Sequence, residues 1–273
     1  MGILKTLTKE YFGEIERKEE KIDIHDLNVE IVSFTDNNGK KHRRGYKPKD
    51  RDTLEKLLKR MIEVRGDEGD FNDIDTSNIK DMESLFKHNE TFNGNITGWN
   101  VSSVKYMNSM FWDATSFNQP IGNWDVSSVI DMSCMFWGAS SFNQDISKWK
   151  FPNVTNTNHM FYNATSFNQP IGKWKFPNVI YMDSMFWGAT SFNQNISKWK
   201  FPNVKSMSGM FYGASSFNQP IGDWEFPKVT DMSGMFYGAS SFNQDLSEWD
   251  LKGKDTTDMF SNCPIVDKYK PKM

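Results

Sequence analysis

One spacing constrains this chain more than any other feature: tryptophan stands at positions 99, 124, 149, 174, 199, 224 and 249, always 25 residues apart. A second word, Met-Phe, starts at 110, 135, 160, 185, 210 and 235, with Leu85-Phe86 before it and Met259-Phe260 after it. Self-similarity at a fixed period of this size marks an array of stacked units, each too small to bury its apolar face without neighbours. The 273 residues are therefore expected to form one elongated body, not two ordinary domains.

Composition excludes several classes. With 37% hydrophobic and 25% charged residues the chain should pack and not stay disordered. A formal net charge of −3 speaks against a general nucleic-acid binder. Cys134 and Cys263 cannot build a disulfide framework, and neither has neighbours at metal-ligand spacing. His25, His42, His88 and His159 are scattered, and no phosphate-binding glycine motif occurs. The expectation is a non-enzymatic protein with no catalytic residues, no metal and no cofactor. No apolar run approaches the roughly 20 residues of a membrane helix. No signal-peptide apolar segment stands at the start, so the chain as given reads as soluble and cytoplasmic.

In chain order, residues 1–27 read as a helical tail, with Ile3, Leu4, Leu7, Tyr11 and Ile15 on one face. Met1 to Thr6 also fits an N-myristoylation pattern. Residues 28–70 read as a hairpin-helix cap. Alternation from Asn28 to Phe34 runs into the turn Asn37-Asn38-Gly39, and Lys41 to Tyr46 returns. A helix from about Asp52 to Arg65 follows, started by Asp52 with Glu55 and stopped by Gly66. The acidic stretch Asp67 to Asp75 fails the calcium-loop pattern and reads as the join. The array then spans 71–260, and 261–273 form a C-terminal cap or tail.

Within a unit, Trp124 and Val126 alternate with Asn123 and Asp125, which is strand periodicity. Val129, Met132 and Met135-Phe136 follow three to four apart, which predicts a short helical turn. Asp81, Asp131 and Asp231 would sit in its first turn, where the helix dipole favours an anion. Positions 113, 138, 163, 188, 213 and 238 are Asp, Gly, Asn, Gly, Gly and Gly, residues that tolerate a left-handed stop. The fold expected is α/β: a right-handed, leucine-rich-repeat-like solenoid of about seven coils, each a short parallel strand plus a helical turn.

The recurring word Ser-Phe-Asn-Gln-(Pro/Asp/Asn)-Ile-x-x-Trp-x-(Val/Phe)-x-x-Val-x-x-Met-x-x-Met-Phe resembles the BspA-like leucine-rich-repeat family, the variety common in mycoplasma lipoproteins and other bacterial surface proteins. The lead-in at Tyr46-Lys47-Pro48, the Leu54–Ile62 helix and Ile74-Asp75-Thr76-Ser77 is similar too, so the resemblance covers about residues 46–260. It implies a solenoid used in adhesion or partner binding, a surface or secreted address, and no catalytic residues. This chain departs from the general leucine-rich repeat in placing Val129, Val154, Val179 and Val204 where an Asn is usual. The buried-Asn role would then fall to Asn118, Asn143, Asn168, Asn193, Asn218 and Asn243, as a ladder bonding neighbouring loops.

Residues flanking the Trp should point outward and stack into two columns. They read Gly98/Asn100, Asn123/Asp125, Lys148/Lys150, Lys173/Lys175, Lys198/Lys200, Asp223/Glu225 and Glu248/Asp250. Three units thus gather six lysines, and two units then gather four carboxylates. Like charges ~5 Å apart repel by only about 0.8 kcal/mol at the dielectric of water, so the stripe also stands as a solvated by-product of repeat duplication. As a site it would take an acidic protein or an acidic glycan. The alternative is a structural, self-assembling repeat protein with head-to-tail charge complementarity, acidic units of one molecule meeting basic units of another, the protein being otherwise a monomer or weakly self-associating. A second candidate is the aromatic ladder Trp112, Trp137, Tyr162, Trp187, Tyr212 and Tyr237, either exposed to ligands or stacked ring on ring.

Overall fold

The computed structural model describes residues 22–272. The tail helix read over residues 2–20 and the Met1–Thr6 pattern lie outside the described residues. The described chain opens with an antiparallel hairpin, β1 (Val29–Thr35) and β2 (Lys41–Pro48), with a register shift between Val32 and Phe34. Gly39, at φ 82°, allows the tight reversal, and its N–H donates to the Asp36 carbonyl. Helix α1 (Arg51–Arg65) follows, and Asp50, not Asp52, is its cap: the Asp50 carboxylate accepts from the Thr53 amide at 2.9 Å. Gly66, at φ 75°, closes the helix, its N–H donating to the Ile62 carbonyl. Leu54, Leu57, Leu58 and Met61 are buried, so α1 covers the apolar end of the array.

The hairpin is fastened at two places. Tyr46 of β2 forms a parallel bridge to Ile74, where the array begins. At the tip, the Asn37 amide donates to the Gly98 carbonyl and the Asn38 side chain to Thr97 Oγ1. Asp36 and His42 meet there at 2.8 Å, nearly solvent-free. Burial would raise the Asp36 pKa, but hydrogen bonds from His42 and from the Lys40 and Asn38 amides outweigh it and leave the carboxyl below its usual range.

Beyond residue 70 the backbone takes a form that strand and helix periodicity did not predict. Among the described residues, the units contain single-residue parallel bridges linked by turns, with no longer strand and no α-helix. One bridge, Asp70 to Asn95, reaches the first Trp word, and the recurring ones fall at Asp81, Tyr106, Asp131, Asn156, Tyr181, Ser206, Asp231 and Asp255. Asp81, Asp131 and Asp231 therefore do not start helices. Each carboxylate accepts from the amide two residues on, at 2.8–2.9 Å.

Chained turns explain the pattern. The amides of Met135, Trp137 and Ala139 donate to carbonyls three residues back, those of Met132, Cys134 and Phe136. The intervening amides, of Met132, Cys134, Phe136 and Gly138, donate to Asn156, Asn158, Met160 and Tyr162 of the next unit. Alternate N–H groups thus stay home or cross over, and none of these seven is left buried without an acceptor. The arrangement needs a left-handed residue in every second turn. It occurs at Asp113, Gly138, Asn163, Gly188, Gly213 and Gly238, and also one turn earlier at Ser84, Ser109, Cys134, His159, Ser184, Gly209 and Gly234.

The core is one continuous strip. Ile121, Trp124, Val126, Val129, Met132, Met135, Phe136, Ala139 and Phe142 are all buried, and other units repeat the set. Thr157 replaces the first Met of its unit and is fully buried, its hydroxyl donating to the Tyr181 carbonyl at 3.2 Å. The Phe-Asn-Gln word supplies a second fastening: each Asn side-chain oxygen accepts the amide of the equivalent Asn one unit on, at 3.0 Å from Asn93 through Asn218. The last rung, Asn243, accepts from Val266, and the Leu246 amide donates to the Tyr269 carbonyl, so the C-terminal segment stands in for a further unit.

Gly138 and Gly213 separate backbone conformation from crowding. Both have φ near +65°, but a Cβ on Gly138 would overlap Asp113 Oδ1, whereas the nearest atom to one on Gly213 is 4.0 Å away. Urea unfolding should show Gly213→Ala costing ~1 kcal/mol and Gly138→Ala ~2 kcal/mol or more. Equal losses would mean that Asp113 simply swings aside.

Candidate functional site

The outward columns beside the Trp words are formed as follows. Each Trp ring is buried, and six of the seven are also bonded to the unit before. The indole N–H of Trp99, Trp149, Trp174, Trp199, Trp224 and Trp249 donates to the carbonyl 28 residues earlier, at 3.0–3.3 Å. With the ring buried, its chain neighbours must face water. Lys148, Lys150, Lys173, Lys175, Lys198 and Lys200 are all exposed, in two columns across three successive units. Asp223, Glu225, Glu248 and Asp250 continue the same columns, also exposed.

Ring spacing differs between the two sides of the core. Equivalent Trp rings from 174 to 249 are 6.4–6.5 Å apart, whereas equivalent rings of the Met-Phe phenylalanines are 5.5–5.8 Å apart. Shallow notches lie between units on the lysine face. One, of about 400 Å³, is lined by Trp149, Lys150, Phe151, Pro152, Lys173 and Lys175, among others. A second, of about 190 Å³, repeats it one unit on with Trp174, Lys175, Phe176, Pro177, Lys198 and Lys200. Each notch therefore combines an apolar floor with three ammonium groups.

Little within the molecule occupies these charges. Lys200 Nζ lies 3.5 Å from Glu225 Oε1, and Lys148 Nζ 3.4 Å from Asn123 Oδ1. Exposed contacts of this length hold side chains loosely and exchange readily with a ligand.

The second candidate, the outer aromatic ladder, forms a stack. Trp112, Trp137, Tyr162, Trp187, Tyr212 and Tyr237 are half-buried, with successive centroids 3.6–5.6 Å apart and planes within 18°. Lys87 lies 4.1 Å over the first ring, Trp112. The ring faces that a sugar would need are covered by neighbouring rings, and edges remain for contact.

The other reactive groups are engaged or quiet. Burial pushes the Cys134 thiol up to about 11 and raises that of Cys263. The join carboxylates hold structure: Asp73 pairs with Arg65 through two bonds of 2.8 Å, and Asp67 accepts from Asn89 and Thr91. Among the described residues no group of His, Cys, Asp and Glu could hold a metal ion. Among them, too, no helix is long and apolar enough to cross a membrane.

The family model described as "Mycoplasma protein of unknown function, DUF285" matches residues 54–174 and again 166–270. The chain belongs to this family, whose match begins at α1 and runs through the array. No curated protein and no solved structure matches the chain.

One indole breaks the pattern at the edge of the lysine stripe. Trp124 Nε1 is buried with no hydrogen-bond partner. Replacing it leaves no acceptor behind, whereas replacing Trp174 leaves the Ile146 carbonyl with one donor fewer. Trp124→Phe should therefore be milder than Trp174→Phe by ~1 kcal/mol in chemical denaturation. A larger loss at Trp124 would show that the ring's volume, and not its N–H, dominates.

Proposed function

We propose that this protein is a non-catalytic binding or adhesion scaffold, a right-handed leucine-rich-repeat-like solenoid of the BspA-like type, with its partner surface on the Trp side. Bonds that recur at a 25-residue register and a shared nine-residue core per unit support the solenoid reading. The repeated word Phe-Asn-Gln…Trp…Met-Phe supports the BspA-like assignment. The resemblance also favours a surface or secreted address, and nothing in the reading calls for a cofactor.

One observation carries the functional reading: six exposed lysines in register, over notches floored by Trp, Phe and Pro. Ordered ammonium groups beside apolar surface suit a partner that is anionic and not fully hydrated, such as an acidic protein surface or an acidic glycan. The net charge of −3 makes general attraction to polyanions weak, so retention on a polyanion would report this stripe. Because the contact is electrostatic and exposed, salt should release it.

Columns of immobilised poly-glutamate and of immobilised heparin test the reading and separate carboxylate from sulfate ligands. Wild type should be retained on at least one at low salt and elute by about 0.3 M salt. The variant with Gln at positions 148, 150, 173, 175, 198 and 200, checked for fold by circular dichroism, should flow through. Equal retention of the two proteins would refute the lysine face as the binding surface.

A further inference from the structure

The basic columns do not run to the end of the array. In the same two outward positions the next two units carry Asp223, Glu225, Glu248 and Asp250, all exposed. One stripe is therefore basic over three units and acidic over two, at one common spacing. A purely anionic ligand that tracked this stripe past Lys200 would meet four carboxylates. A partner that matches the whole stripe must itself change sign, at the same period.

Resting on the reading of this face as a binding surface, we infer that its partner is a second copy of this chain, docked face to face and antiparallel. The two-fold axis crosses the stripe between the Trp199 and Trp224 units. A two-fold in the plane of contact and perpendicular to the stripe reverses the order of units and lays each column on itself. Lys198 then faces the second copy's Asp223, and Lys200 faces its Glu225. One unit farther out, Lys173 faces the second copy's Glu248 and Lys175 its Asp250. Symmetry repeats all four contacts, so one arrangement turns every charge of the four central units toward its opposite.

Three features favour this arrangement over its rivals. The repeat period of the partner matches because it is the same repeat. Parallel docking, with the axis along the stripe, would set lysine on lysine and carboxylate on carboxylate. Opposite charges meet only near the axis, since farther out no carboxylate in these columns comes opposite a lysine. That confines the interface to about the units of Trp174 to Trp249, where the opposite charges lie. Lys148 and Lys150 fall outside the paired block.

The intramolecular competitor is slight. Lys200 and Glu225 touch at 3.5 Å with side chains 64% and 80% exposed, so either can turn to the second copy at little cost. Exposed pairs also set the character of the dimer: weak, reversible and strongly dependent on salt.

Sedimentation velocity on the full chain tests the inference, with circular dichroism confirming the fold of each variant. Wild type should dimerise at about 50 mM salt, and its dissociation constant should rise at least about tenfold by 500 mM. The variants K173E/K175E/K198E/K200E and D223K/E225K/E248K/D250K should each be monomeric and should dimerise when mixed one to one. Orientation is read by K175C/D250C, whose two new thiols are three units apart in one molecule. Oxidation should give a covalent dimer, whereas a ladder of higher oligomers would mean head-to-tail growth and overturn the antiparallel assignment. A dimer that persists unchanged in both charge variants would overturn the inference as well. Monomeric wild type that is retained on poly-glutamate would overturn the dimer but leave the anion-binding reading standing. Monomeric wild type that is not retained on poly-glutamate or heparin would overturn both.

Discussion

The hydrogen bonds that pass from each 25-residue unit to the next are the constraint on which everything else in this protein depends. In the Met-Phe segment every second amide donates outside its own unit, and in the Phe-Asn-Gln segment a side-chain oxygen does the same work for the backbone. A unit removed from the array would expose these donors and acceptors along with its nine apolar side chains. Local turns fix the shape of a unit, but only its neighbours make that shape stable. The same requirement explains the ends. Helix α1 and the hairpin cover the first unit, Val266 supplies the bond that the next Asn would have made, and Tyr269 adds one of its own by accepting from the Leu246 amide.

Because the scaffold uses the inward positions, it leaves the residues beside each Trp free to differ from unit to unit. They change from Asn and Asp to six lysines and then to four carboxylates, while the buried set hardly varies. Constancy inside and variation outside is how a repeat array separates stability from recognition. The rings of the outer aromatic ladder are stacked face to face on one another and leave their edges for contact.

Much of this was legible in the sequence, for identifiable reasons. A 25-residue period names the buried residues directly, because a side chain repeated in every unit is one that neighbours need. The Asn ladder could be read since Asn recurs where a loop needs a side-chain acceptor, and the glycine-rich column since Gly and Asn tolerate positive φ. The backbone form was harder. Trp124-Asp125-Val126 alternates like a strand, yet turns hold it, and the parallel bridge lies at Asp131, a residue with no strand preference. The second left-handed column, at Ser84, Ser109, Cys134, His159 and Ser184, carries residues that do not announce that conformation. The lysines and carboxylates could be placed on one face from spacing alone. The notches between them could not, because they depend on how neighbouring units pack and not on any one residue.

The register of the crossing bonds has a consequence for how such a chain can change length. From Asp81 to Asp231 each bridge is 25 residues from the last, but the final step, Asp231 to Asp255, is 24. One residue has been lost where only a single unit follows, so the shortfall is absorbed before the C-terminal segment. The bonds beyond the short step keep their partners: the Phe236 amide donates to the Met259 carbonyl as the Phe211 amide does to that of Met235, and Phe236 still stacks on Phe260. The crossing bonds therefore set a pitch that whole units can extend without disturbing the rest, while a turn between two bridges can take up the loss of a single residue.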